Sequence, residues 1–547
     1  MNKSKSRPAT AKPAPAAHDH GWRWVLCAAV LLLPALYCLL AWLASGGDVW
    51  WHIDVVGNSA IYWGDDAYRL FLARAALLNG DAYWFSFVLP VVLLLDHLVV
   101  LLSADQLLLA RFIKALLATG GLVLLWQAGR MMNIARGMLL VALALLALMP
   151  LYFFVSMSFY GEAWLCLLVC VAIWLHGRGH GLAMLWLVGL FPLVRPEGLL
   201  FVLSLVAVVW FSAERRRAWI PLLPGTLYFI AINVAGPGIL DYIAWRGRME
   251  DVYIATGDWY GTGWEQFPRV FFIPWLVVGA AGLLTLPMRG LAGFSVASVS
   301  IFLLFSLFAF LFGTASFEAR YMLSALPMLA LGVAAALDYA SQWLRGAAVA
   351  KGVIHTVISV FVILCLQAQA RSVLGIERVV SDWIKTGKIP EDVRQAPFSV
   401  GTYFHGISTW GLDKDRELAS VVTRMVNTNR DIRTLMVGNI QLFYHLDPQS
   451  LPEYLRVVFV PVPSFRMVPA LGGDIAAGYF ATYPFSGYFR LGPPVPGAAQ
   501  LLYVDRLVAD GYPYHWKVGE SDIYLFSETE VESLSTPESG AGRGVIR

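Results

Sequence analysis

Four short motifs hold the residues of this chain whose types and spacing could do chemistry. The first is Gly64-Asp65-Asp66-Ala67-Tyr68, with Asp48, His52 and Asp54 just upstream. Two adjacent carboxylates before a helical stretch are either an acidic helix start, stabilised by the helix N-terminus, or a base and a metal or phosphate-site ligand. The second is Ser158-Phe159-Tyr160-Gly161-Glu162, where Glu162 opens an apolar run. It reads either as a charge favoured at a helix N-terminus or as a second functional carboxylate. The third, Arg195-Pro196-Glu197-Gly198, lies between two short apolar runs. Its Arg and Glu can neutralise each other, while Pro and Gly interrupt the helix. The fourth is Glu318-Ala319-Arg320-Tyr321. Arg320 is either a side chain reaching to the lipid headgroups or a ligand for a phosphate, which a planar guanidinium fits well.

Together these motifs match one kind of reaction. Transfer from a phosphorylated lipid must stabilise a departing phosphate, through Arg or a metal. It must also take a proton from an acceptor hydroxyl, for which a carboxylate is a suitable base. The segment 236–269 adds Tyr242, Trp245, Tyr253, Trp259, Tyr260 and Trp264. Such aromatics stack on sugar rings or form a membrane-interface belt.

The elements that must position these residues are membrane helices. Apolar and aromatic residues make up 58% of the 547, and only 14% are charged, against ~25% in soluble domains. Candidate spans occupy 22–44, 107–129, 137–155, 160–176, 182–194, 198–212, 218–235, 270–287, 293–313, 321–340 and 352–369, of which 182–194 and 198–212 are short and read as half-length spans around a polar apex. The stretch 85–102 is apolar but carries Pro90, Asp96 and His97, and reads as a re-entrant or interfacial segment. The stretch Ala67–Asn79 reads as an interfacial helix, with Arg69 and Arg74 on its polar side.

The positive-inside rule orients the chain. Lys3, Lys5, Arg7 and Lys12 place the N-terminus in the cytoplasm, and the connections holding Arg130 and Arg136, Arg178, Arg215 to Arg217, Arg289, and Arg345 with Lys351 join them there. The four motifs then fall on the outer side. Basic residues scattered in short loops do not form a nucleic-acid surface. The five cysteines, Cys27, Cys38, Cys166, Cys170 and Cys365, all lie in apolar runs, so neither a disulfide framework nor a zinc spacing is present.

Four regions follow. Residues 1–21 read as a disordered cytoplasmic tail and 22–369 as the transmembrane domain. Residues 370–527 read as an extracytoplasmic α/β domain, and 528–547 as a disordered tail. Within the third region Leu435–Ile440, Val457–Val460, Leu501–Val504 and Ile523–Phe526 are expected strands.

Over residues 20–370 the motifs, in this order, resemble the GT-C superfamily of polyprenyl-phosphate-sugar-dependent membrane glycosyltransferases. The protein O-mannosyltransferase and lipid A aminoarabinose transferase type is nearest. The residues that carry the resemblance are Gly64 to Tyr68 with Leu72-Ala73-Arg74-Ala75, Ala110-Arg111-Phe112 with Gly129-Arg130, Ser158 to Glu162, Arg195 to Gly198, and Ala319-Arg320-Tyr321 with Pro327. The fold so implied is mainly α: a bundle of about eleven transmembrane helices with outer-side interfacial helices, then the α/β domain.

The resemblance implies Asp66, with Asp65, as catalytic carboxylates, and Asp65 with Glu162 as ligands should a divalent metal (Mg or Mn) be used. It implies Arg320 and Arg195 at the donor phosphate, and Glu197, His52, Tyr321 and Trp259 in substrate binding. The expected partners are a polyprenyl-phosphate-linked sugar, membrane lipids, and a glycan, lipid or protein acceptor, with no nucleic acid. The expected activity is inverting transfer of one hexose or pentose to a hydroxyl at the outer face of the inner membrane. No Trp-Trp-Asp motif occurs in the C-terminal region, which departs from the oligosaccharyltransferases. A transporter or flippase of lipid-linked sugars is the rival reading, and it expects midplane polar residues and internal repeats. A non-catalytic membrane scaffold with an outer binding domain is the second, and Asp65-Asp66 and Glu162 together argue against it.

Overall fold

The computed structural model describes residues 32–35, 90–104, 107–210, 219–235, 272–286, 291–311, 319–346, 352–366 and 412–428, seven strands between 434 and 526, and residues 446, 450–453 and 455. The first expected span, apart from residues 32–35, lies outside them. So do the Ala67–Asn79 helix, the aromatic segment 236–269 and both expected tails.

The described part of the first 370 residues is helical. The helices are α1 (Pro90–Leu102), α2 (Leu107–Met131), α3 (Arg136–Leu148), α4 (Pro150–Ser156), α5 (Gly161–Gly177), α6 (Gly181–Gly189), α7 (Gly198–Trp210), α8 (Leu223–Ala235), α9 (Ile273–Leu283), α10 (Ala292–Leu311), α11 (Leu326–Gly346) and α12 (Gly352–Leu366). By length and composition, Leu109–Met131 and Arg320–Arg345 qualify as candidate spans. The α1 helix has 13 residues, about 20 Å, which is short of the ~30 Å apolar core of a bilayer.

Prolines divide several of the expected spans. The run 137–155 is two helices, because Met149 is extended before Pro150. Pro150 has no N–H for the ladder and disfavours helical geometry in its predecessor. Short 3-10 turns at Phe191–Leu193 and Ile220–Leu222 contain Pro192 and Pro221. A longer one, Ala319–Ala325, leads into α11, whose second residue is Pro327.

Two of the five turns expected on the cytoplasmic side share one form. After α2, Ile134 N–H donates to the Gly129 carbonyl and Asn133 N–H to Arg130. After α5, His180 N–H donates to Leu175 and Gly179 N–H to His176. These are Schellman endings, with Asn133 (φ 59°) and Gly179 (φ 79°) in the left-handed region.

Helix α11 is central, touching α2, α3, α5, α9 and α10. Its approach to α9 is backbone to backbone: a Cβ on Gly282 would lie 1.8 Å from the Gly332 carbonyl oxygen. On the outside of the bundle Leu102, Leu182, Leu284, Leu303 and Ile363 are exposed. Exposed leucines on so many helices make an apolar exterior that water does not favour.

The C-terminal region holds α13 (Leu412–Thr428) and strands β1 (Thr434–Val437), β2 (Arg456–Phe459), β3 (Phe489–Leu491), β4 (Leu501–Val504), β5 (Leu507–Ala509), β6 (Tyr514–Val518) and β7 (Ser521–Phe526). Five strands form a mixed sheet in the order β2-β1-β4-β7-β6, with β1 parallel to β2 and β4, and β7 antiparallel to β4 and β6. Strands β3 and β5 pair in parallel. All four expected strand segments overlap described strands, β1, β2, β4 and β7; residues 438–440 and 460 of them lie outside the described residues. The α13 helix buries Ala419, Val422, Met425 and Val426 along one side, at the spacing of a helix face.

Candidate functional site

Three of the four motifs meet in space. Glu162 enters from the first turn of α5, Arg195 and Glu197 from the turn before α7, and Arg320 and Tyr321 from the 3-10 turn before α11.

The chain before α5 is shaped by Ser158. Its hydroxyl donates to the Val155 carbonyl at 2.6 Å and accepts the Tyr160 N–H at 3.2 Å. That folds the end of α4 into a turn and leaves Tyr160 extended as the N-cap of α5. Glu162 therefore stands in the first helical turn, where the helix dipole favours an anion. It is 2% exposed, so it is no solvated helix-start charge.

The Arg195 turn is compact. Arg195 N–H donates to the Phe191 carbonyl at 3.0 Å and Gly198 N–H to the Arg195 carbonyl at 2.9 Å. A Cβ on Gly198 would lie 2.3 Å from the Phe191 carbonyl carbon, so only glycine fits there. Beneath the turn Phe191 packs edge-on against Phe201 at 5.5 Å, and Phe201 meets Phe294 at 6.2 Å.

The charges then interlock. Arg195 grips Glu197 with two hydrogen bonds, Nη2 to Oε1 at 2.8 Å and Nε to Oε2 at 3.1 Å. The same Nη2 lies 3.2 Å from Glu162 Oε1. Arg320 Nε lies 3.5 Å from that oxygen. Its guanidinium also stacks over the Tyr160 ring at 4.1 Å and approaches the Tyr321 ring at 5.6 Å. Arg195 approaches the same Tyr321 ring at 5.2 Å. Burial opposes the charge on Arg195, but Glu162 and then Glu197 outweigh it and hold its pKa above the ordinary value.

Two carboxylates and two guanidiniums, all mostly buried, are an expensive way to hold helices together. Apolar residues of similar volume usually do as well or better. The arrangement does suit anion chemistry. Arg320 is a planar cation pre-oriented between aromatic faces, and Glu162 is a carboxylate shared by two cations. A divalent cation fits these residues poorly. Glu162 Oε1 already faces two guanidiniums, whose charge would oppose it; Asp65, the other expected ligand, lies outside the described residues.

Of the residues singled out in sequence, Glu162, Arg195, Glu197, Arg320 and Tyr321 are brought together. Asp65, Asp66, His52 and Trp259 lie outside the described residues. Sequence reasoning missed Tyr160 as the platform for Arg320, though an aromatic two residues before a carboxylate was visible.

It also missed a second buried group, formed by Asp96 on α1, Arg111 and Lys114 on α2, and Trp164 on α5. Trp164 Nε1 donates to Asp96, and Lys114 Nζ lies 3.8 Å from the same carboxylate. Lys114 sits over the Trp164 ring at 3.7 Å, and Arg111 donates to the Met157 carbonyl at 3.0 Å. The signal available was Arg111 and Lys114 inside an apolar run, opposite the acid of 85–102.

No family model matches the chain, and no curated protein matches it. Among solved structures it is similar to ArnT from Cupriavidus metallidurans in the apo state. The identity is 14%, covering 92% of this chain and 98% of that one, with a TM-score of 0.48.

Proposed function

We propose that this chain is an integral membrane glycosyltransferase of the GT-C type, moving one sugar from a polyprenyl-phosphate donor to a hydroxyl of a glycan, lipid or protein. The observation that carries the reading is the convergence of Glu162, Arg195, Glu197 and Arg320 in one buried cluster. Three motifs, each explicable alone by a local role, have no local reason to meet. The apolar exterior of the helices supports placement in a membrane. The basic turns after α2 and α5 support a cytoplasmic side opposite the cluster. In this reading the site lies at the outer face of the inner membrane.

The acceptor oxygen attacks the anomeric carbon as the bond from that carbon to the phosphate oxygen breaks, inverting the centre. The departing phosphate keeps the bonding electrons. Arg320 receives that charge, because Arg195 already makes two hydrogen bonds to Glu197. The acceptor proton goes to a carboxylate, assigned to Asp66 with Asp65 beside it. Glu162 holds the two guanidiniums in register. Glu197 and Tyr321, with His52 and Trp259, belong to the substrate-binding set.

The test is transfer of radiolabelled sugar from a polyprenyl-phosphate pool in membranes carrying Arg320→Met or Glu162→Gln. Loss of one oriented charge-stabilising group typically costs on the order of 100- to 1,000-fold in rate. Wild-type transfer by both variants would remove the site, and with it the reading.

A further inference from the structure

Glu162 and Trp164 are two residues apart on α5, so they point about 200° apart around the helix. One faces Arg195 and Arg320. The other faces Asp96 and Lys114. The first turn of α5 is thus held between two charged groups.

The grip on Trp164 is two-directional. Asp96 accepts its indole N–H in the ring plane, and the Lys114 ammonium presses on the ring face at 3.7 Å. Lys114 and Asp96 also face each other at 3.8 Å. Arg111 adds a third hold, on the Met157 carbonyl, and lies 5.3 Å over the Phe159 ring. A small cavity beside Lys114 is lined also by Tyr152, Ser156 and Trp164. Holding α1 against α2 and α5 needs none of this. Leu and Met would pack the same faces without the desolvation cost.

Orientation is a different matter. A rotation of α5 by roughly 20° would move a side-chain end, some 5–6 Å from the helix axis, by about 2 Å. That is enough to separate Glu162 Oε1 from an arginine now 3.2 Å away. We propose that Asp96 and Lys114 are positioning residues for Glu162, acting through Trp164 to set the rotation of the first turn of α5. This rests on the reading of the Glu162 cluster as the transfer site.

The experiment uses the full chain in nanodiscs with the double substitution Asp96→Leu/Lys114→Met, beside Trp164→Phe, Lys114→Arg, Glu162→Gln and Arg320→Met. The double variant is expected to remain folded, with a Tm lowered by less than that of Glu162→Gln, and to keep the donor KM within about threefold. Its kcat is expected to fall by roughly 10- to 100-fold, as displacements near 1 Å do. Trp164→Phe keeps the ring but loses the N–H, and should give a smaller fall. It serves as the second probe should the double variant unfold. Lys114→Arg should retain most of the rate.

A structural readout runs alongside. Glu162→Cys and Arg320→Cys are joined by a short bifunctional thiol reagent, with and without the double substitution. A drop in cross-link yield when Asp96 and Lys114 are replaced is expected. Should the double variant transfer at the wild-type rate while Glu162→Gln is inactive, the positioning role is overturned and the site stands. Should Glu162→Gln and Arg320→Met both be fully active, the functional reading is lost. The positioning role is then decided by the cross-link, an unchanged yield overturning it.

Discussion

Arg195 Nη2 lies 3.2 Å from Glu162 Oε1 and 2.8 Å from Glu197 Oε1, so one guanidinium nitrogen faces carboxylates from two different motifs. The Glu197 contact is local, two residues along the chain. The Glu162 contact joins α5 to the turn before α7. Removing one member of such a buried set leaves the others uncompensated, at a cost of about 3–5 kcal/mol. Arg195→Met should therefore lower the Tm sharply. Arg195→Met with Glu162→Gln should lose less than the sum of the singles, with a coupling on the order of 1–3 kcal/mol. Additive losses in a denaturation cycle would show that the 3.2 Å approach has no energetic content.

Arg320 stacks 4.1 Å over Tyr160. A desolvated cation over an aromatic face contributes about 2 kcal/mol. Tyr160→Leu should weaken donor binding by roughly 10- to 30-fold, that energy expressed as a ratio of dissociation constants. Tyr160→Phe keeps the ring and should lose much less. Equal losses for both variants, measured by binding of a labelled polyprenyl phosphate, would assign the effect to the hydroxyl and not to the ring face.

With its oxygen between two guanidiniums, Glu162 is better placed to hold arginines than a metal. Polyprenyl-phosphate binding should survive treatment with a chelator. If chelation abolished binding and Mg or Mn restored it, Glu162 would be the metal ligand that the family resemblance implies.

The α9 to α11 contact has no room for a side chain at Gly282. Gly282→Val should abolish the folded protein or reduce its Tm by many degrees, since the clash is with backbone and cannot be relieved by a rotamer change. At Gly120, mid-way along α2, an added Cβ would meet nothing within 4 Å. Gly120→Ala should be neutral or stabilising by up to ~1 kcal/mol. Matching effects at the two positions in a thermal-shift series would contradict the packing described.

Asn133 ends α2 with φ 59°. Glycine adopts that conformation without penalty, whereas a β-branched residue there costs about 1–2 kcal/mol. Asn133→Gly should match or exceed wild-type stability and Asn133→Val should fall below it. The reverse order would argue against a left-handed helix ending.

Local chemistry made much of this protein legible in its sequence. Helix content followed from long apolar runs, while the left-handed endings at Asn133 and Gly179 emerged only in the structure. The strands β1, β2, β4 and β7 followed from short β-rich runs between polar stretches. The prolines were visible too, yet their effect was underestimated: 137–155 reads as one span by hydropathy, while Pro150 divides it. Hydropathy sums over a window and ignores a single missing N–H.

The site divides along the same line. Sequence alone determined that Glu162 opens a helix, that Arg195 and Glu197 share a turn, and that Arg320 precedes α11. Residue type and spacing act within a few positions, and these are statements about a few positions. Only the tertiary structure decided that the three meet, that Tyr160 carries Arg320, and that Asp96 and Lys114 hold the opposite side of α5. The reason is physical. Which way a helix turns its side chains depends on its packing against neighbours distant in sequence, and a rotation of a few tens of degrees changes every polar contact while leaving the apolar pattern intact.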